Sequence, residues 1–107
     1  MVILKNCEFL SHENSPIVSK VFPNVGGDVL ALNIHGADGV FHLEGRAGRT
    51  AEWISLAGIN LSDFSAVSGG FKKAGLYELG IVSVREMRVR IESASGDVSI
   101  TGQIISS

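Results

Sequence analysis

The sequence has 107 residues, of which 45% are hydrophobic and 19% are charged, and its formal net charge is −2 at pH 7. This length predicts one domain, and the high apolar content excludes an intrinsically disordered chain. The slightly acidic balance argues against nucleic acid as a partner, because nucleic-acid binding requires a basic surface.

The elements predicted from hydrophobic alternation are eight short β-strands, with no long amphipathic helix. In chain order they cover residues 2–10, 17–22, 29–35, 40–44, 51–56, 76–81, 86–93 and 98–104. Period-2 alternation indicates strands that are buried on one face and exposed on the other. Thirteen of the 107 residues are glycines, and they separate the apolar segments. This share is well above the average of roughly 7%, and such glycines are typical of turns between short strands.

Two connections stand out along the chain. The segments 29–35 and 40–44 are joined by Gly36-Ala37-Asp38-Gly39, and the Asp-Gly step predicts a β-hairpin. Residues 58–70 are the least regular stretch, where the spacing of Leu61 and Phe64 indicates one helical turn.

Alternating strands of this number and spacing predict an all-β fold, an antiparallel β-sandwich of about eight strands. A jelly roll is the simplest topology, although periodicity alone leaves other strand orders open. The whole chain, residues 1–107, is expected to form one sandwich domain. Residues 1–27 are expected either to add strands or to form an N-terminal extension that acts as an assembly arm.

Compartment and membrane contact also follow from the sequence. No uncharged apolar run approaches the ~18 residues of a membrane-spanning helix, and the first residues lack the pattern of a secretory signal. The single cysteine, Cys7, excludes an internal disulfide. Synthesis in a reducing bacterial cytoplasm is therefore expected, with no membrane partner, and release by cell lysis would need no signal.

Each candidate for metal or nucleophile chemistry in this sequence also has a simple structural role. If 29–35 and 40–44 form a hairpin, His35 and His42 would share an outer face with Glu44 and form a candidate site for a zinc or nickel ion. Two surface histidines without a ligand are the alternative. Cys7 lies in a strand pattern with no local base, which favours a packing role over a nucleophilic one. No catalytic serine, phosphate-loop or dinucleotide motif is present, so neither an enzyme nor a cofactor is expected.

The candidate interface or ligand face consists of Trp53, Tyr77, Arg88 and Arg90. Arg88 and Arg90 share the outward face of one strand, where they could pair with Glu78 or Glu92 on a neighbouring strand, contact another subunit or bind an acidic sugar. Trp53 and Tyr77 could stack on sugars if exposed, or pack in the core or an interface.

Seven segments form a recurring pattern: an apolar strand, a Glu-Gly strand, a Trp strand, a Gly-hydrophobic-Tyr strand, an Arg-Val alternation, a Ser-Gly turn and a final strand. They are Leu30-Ala31-Leu32, Leu43-Glu44-Gly45, Trp53, Gly75-Leu76-Tyr77-Glu78, Met87-Arg88-Val89-Arg90-Ile91, Ser95-Gly96 and Val98-Ser99-Ile100-Thr101-Gly102. With these, residues 28–105 resemble small β-sandwich structural proteins of tailed bacteriophages and prophages. The resemblance implies a virion component without an active site.

The sequence therefore predicts a non-enzymatic phage or prophage structural protein, an accessory module of the head, neck or tail. It would act as a symmetric oligomer on the virion, with other virion proteins as partners, and a trimer is expected by analogy with fibre and spike modules. The alternative is a carbohydrate-binding module that recognises a host cell-surface glycan. A bacterial protein unrelated to phages is a third interpretation.

Overall fold

The computed structural model covers residues 1–107 and contains eleven β-strands and no helix. The strands are β1 (Val2–Glu13), β2 (Ile17–Val18), β3 (Phe22–Pro23), β4 (Val29–Gly36), β5 (Gly39–Arg46), β6 (Ile54–Ser55), β7 (Gly58–Asn60), β8 (Ala66–Val67), β9 (Gly75–Gly80), β10 (Glu86–Ala94) and β11 (Val98–Ser106). No helix that is long and apolar enough to cross a membrane is therefore present.

The strands form two antiparallel sheets that pack face to face. One sheet has six strands in the order β1-β11-β4-β9-β7-β8, and the other has the order β2-β10-β5-β6, with β3 also paired to β10. If β2 and β3 are taken as one interrupted strand and β7–β8 as an edge addition, eight principal strands remain in jelly-roll order. The predicted all-β, jelly-roll-like sandwich is confirmed, and the strand count exceeds eight because several strands have only two or three residues.

The core lies between the sheets because each long strand turns its alternate apolar residues inward. β4 supplies Leu30, Leu32 and Ile34, while β10 supplies Met87 and Val89. Burial of each such side chain stabilises the fold by about 1.5–3 kcal/mol. Residues 1–27 are part of this arrangement, since they contain β1, β2 and β3.

The predicted hairpin between 29–35 and 40–44 is wrong. β4 pairs with β11 and β9 in one sheet, whereas β5 pairs with β10 and β6 in the other. The link between them begins at Gly36, whose φ of 116° is accessible to glycine, and carries the chain from one sheet to the other. Hydrophobic alternation shows which face of a strand is buried. The pattern is the same whether two strands pair in one sheet or face each other across the core, so it does not predict their pairing.

The predicted strand over residues 17–22 is interrupted at Ser19. Its Oγ accepts a hydrogen bond from the Val89 N–H at 2.9 Å, and its own N–H donates to the Val89 carbonyl at 2.8 Å. Ser19 is buried, and the strands on either side of it, β2 and β3, are short. A side-chain hydrogen bond thus replaces regular ladder pairing at this point.

The region from 51 to 67 is less regular than the sequence predicts. Only Ile54 and Ser55 of the expected strand 51–56 pair with β5. The predicted helical turn is reduced to one hydrogen bond of 2.7 Å from the Phe64 N–H to the Asn60 carbonyl. Phe64 then has a φ of 60°, and the chain returns as β8 instead of continuing as a helix.

Candidate functional site: the outer face of the five-stranded sheet

The outer face of the five-stranded sheet carries a row of charged residues on each of its two central strands. The antiparallel register of β5 and β10 places oppositely charged or polar residues directly across from each other. The facing pairs are Arg46 with Glu86, Glu44 with Arg88, and His42 with Arg90. Cross-strand pairs at this separation interact directly, so the register itself assembles the cluster.

Glu44 is the centre of this cluster. It is only 7% exposed, and its carboxylate accepts hydrogen bonds from Arg88 Nε at 2.8 Å and from Arg90 Nε at 3.1 Å. Burial on its own would raise the pKa of Glu44, but the two arginines outweigh it and hold the pKa below its ordinary value. The carboxylate is therefore ionised and doubly paired.

Trp53 covers the same cluster from the loop that precedes β6. The guanidinium carbons of Arg46 and Arg88 each lie 4.3 Å from the centroid of its ring. Arg46 also donates to Glu86 Oε1 at 2.8 Å. The half-buried indole therefore stacks on guanidinium groups that are already paired with carboxylates. Trp53 is in this way part of the charged cluster.

A second chain of polar contacts crosses this face towards the edge strand β6. His42, which is 7% exposed, contacts Ser55 Oγ through Nδ1 at 3.0 Å and Glu92 Oε1 through Nε2 at 2.9 Å. His42 lies on β5, Ser55 on β6 and Glu92 on β10. Both imidazole nitrogens therefore have partners, although the residue is almost entirely buried.

The structure brings together three of the four residues predicted for an interface or ligand face: Trp53, Arg88 and Arg90. The fourth, Tyr77, is corrected to a core residue. It is 2% exposed, its ring lies 4.6 Å from that of Phe71, and its hydroxyl donates to the Lys73 carbonyl at 2.7 Å. Burial raises the pKa of the Tyr77 hydroxyl. Its position on the inner face of β9 explains why it contributes no exposed surface.

The candidate metal site is not formed, because His35 lies on β4 and His42 on β5, in different sheets. No group of three or more His, Cys, Asp or Glu side chains is placed to hold a metal ion. Cys7 packs in the core, 1% exposed, as the preferred interpretation predicted. Burial raises the pKa of its thiol, and the charges of Lys5 and Lys20 only partly oppose that effect.

Sequence reasoning missed the partners of the predicted arginines. The sequence marks Glu44 as a candidate metal ligand and not as the partner of these arginines, and it does not predict the link between His42, Ser55 and Glu92. Alternation on residues 40–44 and 86–93 predicts that these side chains point towards solvent. Which of them lie next to each other depends on the register of β5 against β10 and β6. That register carries no local sequence signal.

The outer face of the six-stranded sheet is different in character. A shallow groove of about 460 Å³ is lined there by Asn6, Glu8, Asn33, Thr101 and Gln103, among others. The only side-chain hydrogen bond among these five residues runs from Gln103 Nε2 to Asn6 Oδ1 at 3.1 Å. The remaining amide and hydroxyl groups are free to bind a ligand or water.

Strand order and site together define a small jelly-roll sandwich with one charge-paired outer face and one open polar outer face. Comparison with solved structures then finds two similar folds, both from prophages. The SPBc2 prophage-derived protein YomS has a TM-score of 0.84 and 19% identity over 95% of this chain and 92% of its own. The PBSX exported protein XepA has a TM-score of 0.75 and 21% identity over 92% of this chain but only 37% of its own.

These similarities confirm, at the level of the fold, the resemblance to small β-sandwich proteins of phages and prophages. No protein-family model and no curated protein sequence matches the chain. At such low identity the likeness concerns the arrangement of strands, and the roles of individual side chains must be argued from this structure.

Proposed function

We propose that this protein is a structural component of a phage or prophage particle, an accessory module of the head, neck or tail. The observation that carries the proposal is the similarity to the prophage protein YomS over nearly the whole length of both chains. A virion is the location that this role implies. Partners would be other virion proteins and further copies of this chain.

A symmetric homo-oligomer is supported by the edge at which β1 ends the six-stranded sheet. β1 pairs only with β11, so its other side presents unpaired backbone N–H and C=O groups. The start of this strand is also apolar and exposed, with Val2 at 58% and Ile3 at 50%. A long apolar edge strand is a template for pairing with another chain, and a second copy of this chain is the occupant we propose.

The face around Trp53, Arg88 and Arg90 is the second proposed contact between subunits. Its arginines already pair with Glu44 inside the chain, so a partner subunit would meet a rigid surface with little free charge. Interfaces are enriched in tryptophan and arginine, which supports this face. The β1 edge and this face can be separated by mutation, because they lie on different sheets of the sandwich.

The absolute mass in solution, measured by light scattering behind a sizing column, tests the proposal. A stable trimer or another closed ring supports it, whereas a monomer at high micromolar concentration contradicts it. An Ile3→Lys substitution should dissociate an oligomer that is built through β1. The double variant Arg88→Glu, Arg90→Glu should dissociate one that is built through the other face.

Binding of a host cell-surface glycan is the second candidate function, and the groove on the six-stranded sheet favours it. Sugar hydroxyls are bound by amide and hydroxyl groups such as those of Asn33, Thr101 and Gln103, which line this groove. Titration with cell-wall oligosaccharides should give heat that is lost in Asn33→Ala and Gln103→Ala. A Trp53→Phe variant should bind equally, because Trp53 lies on the other sheet.

A further inference from the structure

The hydrogen-bonded chain of Ser55, His42 and Glu92 has a direction that its chemistry dictates. A carboxylate can only accept hydrogen bonds, so Nε2 of His42 carries the proton donated to Glu92. In the neutral imidazole, Nδ1 then has a free lone pair and accepts the Ser55 hydroxyl proton. Glu92 thus selects the tautomer in which His42 acts as a base towards Ser55.

Exposure distinguishes the members of this chain. Ser55 lies on the exposed edge strand β6, and its hydroxyl makes no other hydrogen bond within the protein. His42 is held by burial and by contacts at both ring nitrogens, so it has little freedom to turn away. The Glu92 carboxylate also lies 3.9 Å from Arg90 Nη1, a neighbour of opposite charge. A nucleophile, a base and an orienting carboxylate are therefore linked in order.

A glycine lies against the same imidazole. Gly70 has a φ of 111°, and a Cβ on it would come within 3.0 Å of His42 Cε1 and 3.4 Å of Nδ1. A side chain at position 70 would therefore press on the ring, and glycine leaves the imidazole its room.

We propose that Ser55 is a nucleophile that accepts the acyl group of a short, exposed ester, with His42 as its base and Glu92 as a positioning residue. None of the surface grooves includes Ser55, His42 or Glu92, so a long acyl chain would have nothing to bury it. The matching substrate class is a small ester or a short acyl group that protrudes from a polymer. This goes beyond the proposed structural role and departs from the expectation of no activity.

The reaction is a two-step acyl transfer. Ser55 Oγ attacks the ester carbonyl carbon and its proton passes to His42 Nδ1; the ester C–O bond then breaks, and the leaving alkoxide takes that proton and departs as the alcohol. Water next attacks the acyl group on Ser55, gives a proton to His42, and the acyl–Oγ bond breaks. The protonated imidazole returns its proton to Ser55 Oγ, which releases the carboxylic acid and restores the starting state.

Labelling with a fluorophosphonate probe, read by intact mass and peptide mapping, tests the proposal directly. The probe should form one P–O bond at Ser55 with loss of fluoride, and the protein should hydrolyse p-nitrophenyl acetate. Ser55→Ala should lose the label and lower the hydrolysis rate about 100-fold or more, within the range of nucleophile and base contributions. Ser83→Ala, at an exposed loop serine, is the matched control and should behave as the wild type.

Glu92 is tested by a conservative pair of substitutions. Glu92→Gln should slow labelling about 10-fold, since a neutral amide fixes the imidazole tautomer less strongly. Glu92→Asp should recover part of that loss, which a purely structural role in folding would not require. Absence of label on the folded wild type overturns the proposal, as does equal labelling of Ser55→Ala. The oligomeric mass of Ser55→Ala, measured in parallel, keeps this outcome separate from that of the structural proposal.

Discussion

The two outer faces of the sandwich are made from the same kind of alternating strand, yet polar side chains are paired within the chain on one face and mostly unpaired on the other. On the five-stranded sheet, Glu44 is ionised, almost fully buried and bonded to two arginines. On the six-stranded sheet, Asn33 and Thr101 are exposed, uncharged and without side-chain partners in the chain. Internal pairing makes the first face a fixed structure, whereas the second face keeps its hydrogen-bonding capacity for something outside the chain.

The difference arises from what covers each face. β5 lies between β10 and β6, and the loop before β6 carries Trp53 onto the arginines, so five successive β5 residues from Phe41 to Gly45 are buried. β4 also has neighbours on both sides, but no aromatic side chain covers it, and small residues such as Ala31 leave a groove. A charge is retained at 7% exposure only where it is paired.

Removal of the central carboxylate should have the largest effect on stability. Glu44→Ala leaves Arg88 and Arg90 without their acceptor beneath Trp53, and we expect a loss of about 2–3 kcal/mol in the free energy of unfolding. This is less than the roughly 3–5 kcal/mol of a fully buried pair, because both arginines still reach solvent. Chemical denaturation followed by circular dichroism measures it.

The matched control for that substitution is Glu78→Ala on the outer face of the six-stranded sheet. Glu78 is exposed and forms no ion pair, so its removal should change the free energy of unfolding by less than about 0.5 kcal/mol. Equal losses in the free energy of unfolding for the two substitutions would show that the paired carboxylate stabilises the fold no more than an exposed one does.

The effect of pH should follow the same carboxylate. The pKa of Glu44 is lowered in the folded protein, so its contribution is present above the ordinary glutamate pKa and is lost as pH falls through the lowered value. The stability difference between the wild type and Glu44→Gln should therefore be constant near pH 7 and shrink below about pH 4.5. Asp28 and Asp63 also have lowered pKa values, but both proteins retain them and their effect cancels. A difference that grows on acidification would contradict the assignment.

Trp53→Ala should have the next largest effect. The substitution removes two guanidinium contacts of 4.3 Å, and we expect a loss of about 1–2 kcal/mol. Trp53→Phe, which keeps an aromatic face, should restore at least half of it. The measurement is again chemical denaturation by circular dichroism, since Trp53 is the only tryptophan. Full stability in Trp53→Ala would show that the indole does not hold the arginines.

The charged face shows how far sequence reasoning extends. Alternation on residues 86–93 correctly predicts that Arg88 and Arg90 point outward, and pairing with Glu78 or Glu92 is among the predicted alternatives. Arg90 does lie 3.9 Å from Glu92, but on its own strand, and Glu78 forms no ion pair. The identity of the partner, Glu44, depends on β5 lying beside β10, which are 40 or more residues apart. Tyr77 shows the opposite failure: its alternation with Leu79 indicates an inward face, and its phenol nevertheless suggested a ligand platform.

The fold class can be predicted from the sequence, but which strands pair with each other cannot. Short alternating segments separated by glycines correctly indicate a sandwich, because only two packed sheets bury so many one-sided strands. The Asp38-Gly39 step suggested a local hairpin, yet the chain crosses between sheets there. The apolar residues of β4 and β5 meet across the core, a choice set by long-range packing and not by the turn.

The smallest expected effect belongs to the open face. Gln103→Ala breaks a single exposed hydrogen bond of 3.1 Å to Asn6, and water replaces the lost partner, so stability should change by less than about 0.5 kcal/mol. Denaturation under the conditions used for Glu44→Ala measures it. A loss near that of Glu44→Ala would mean that the amides of the groove hold the sheet together. An unchanged stability would instead show that these side chains are dispensable for the fold, as groups kept for an external ligand should be.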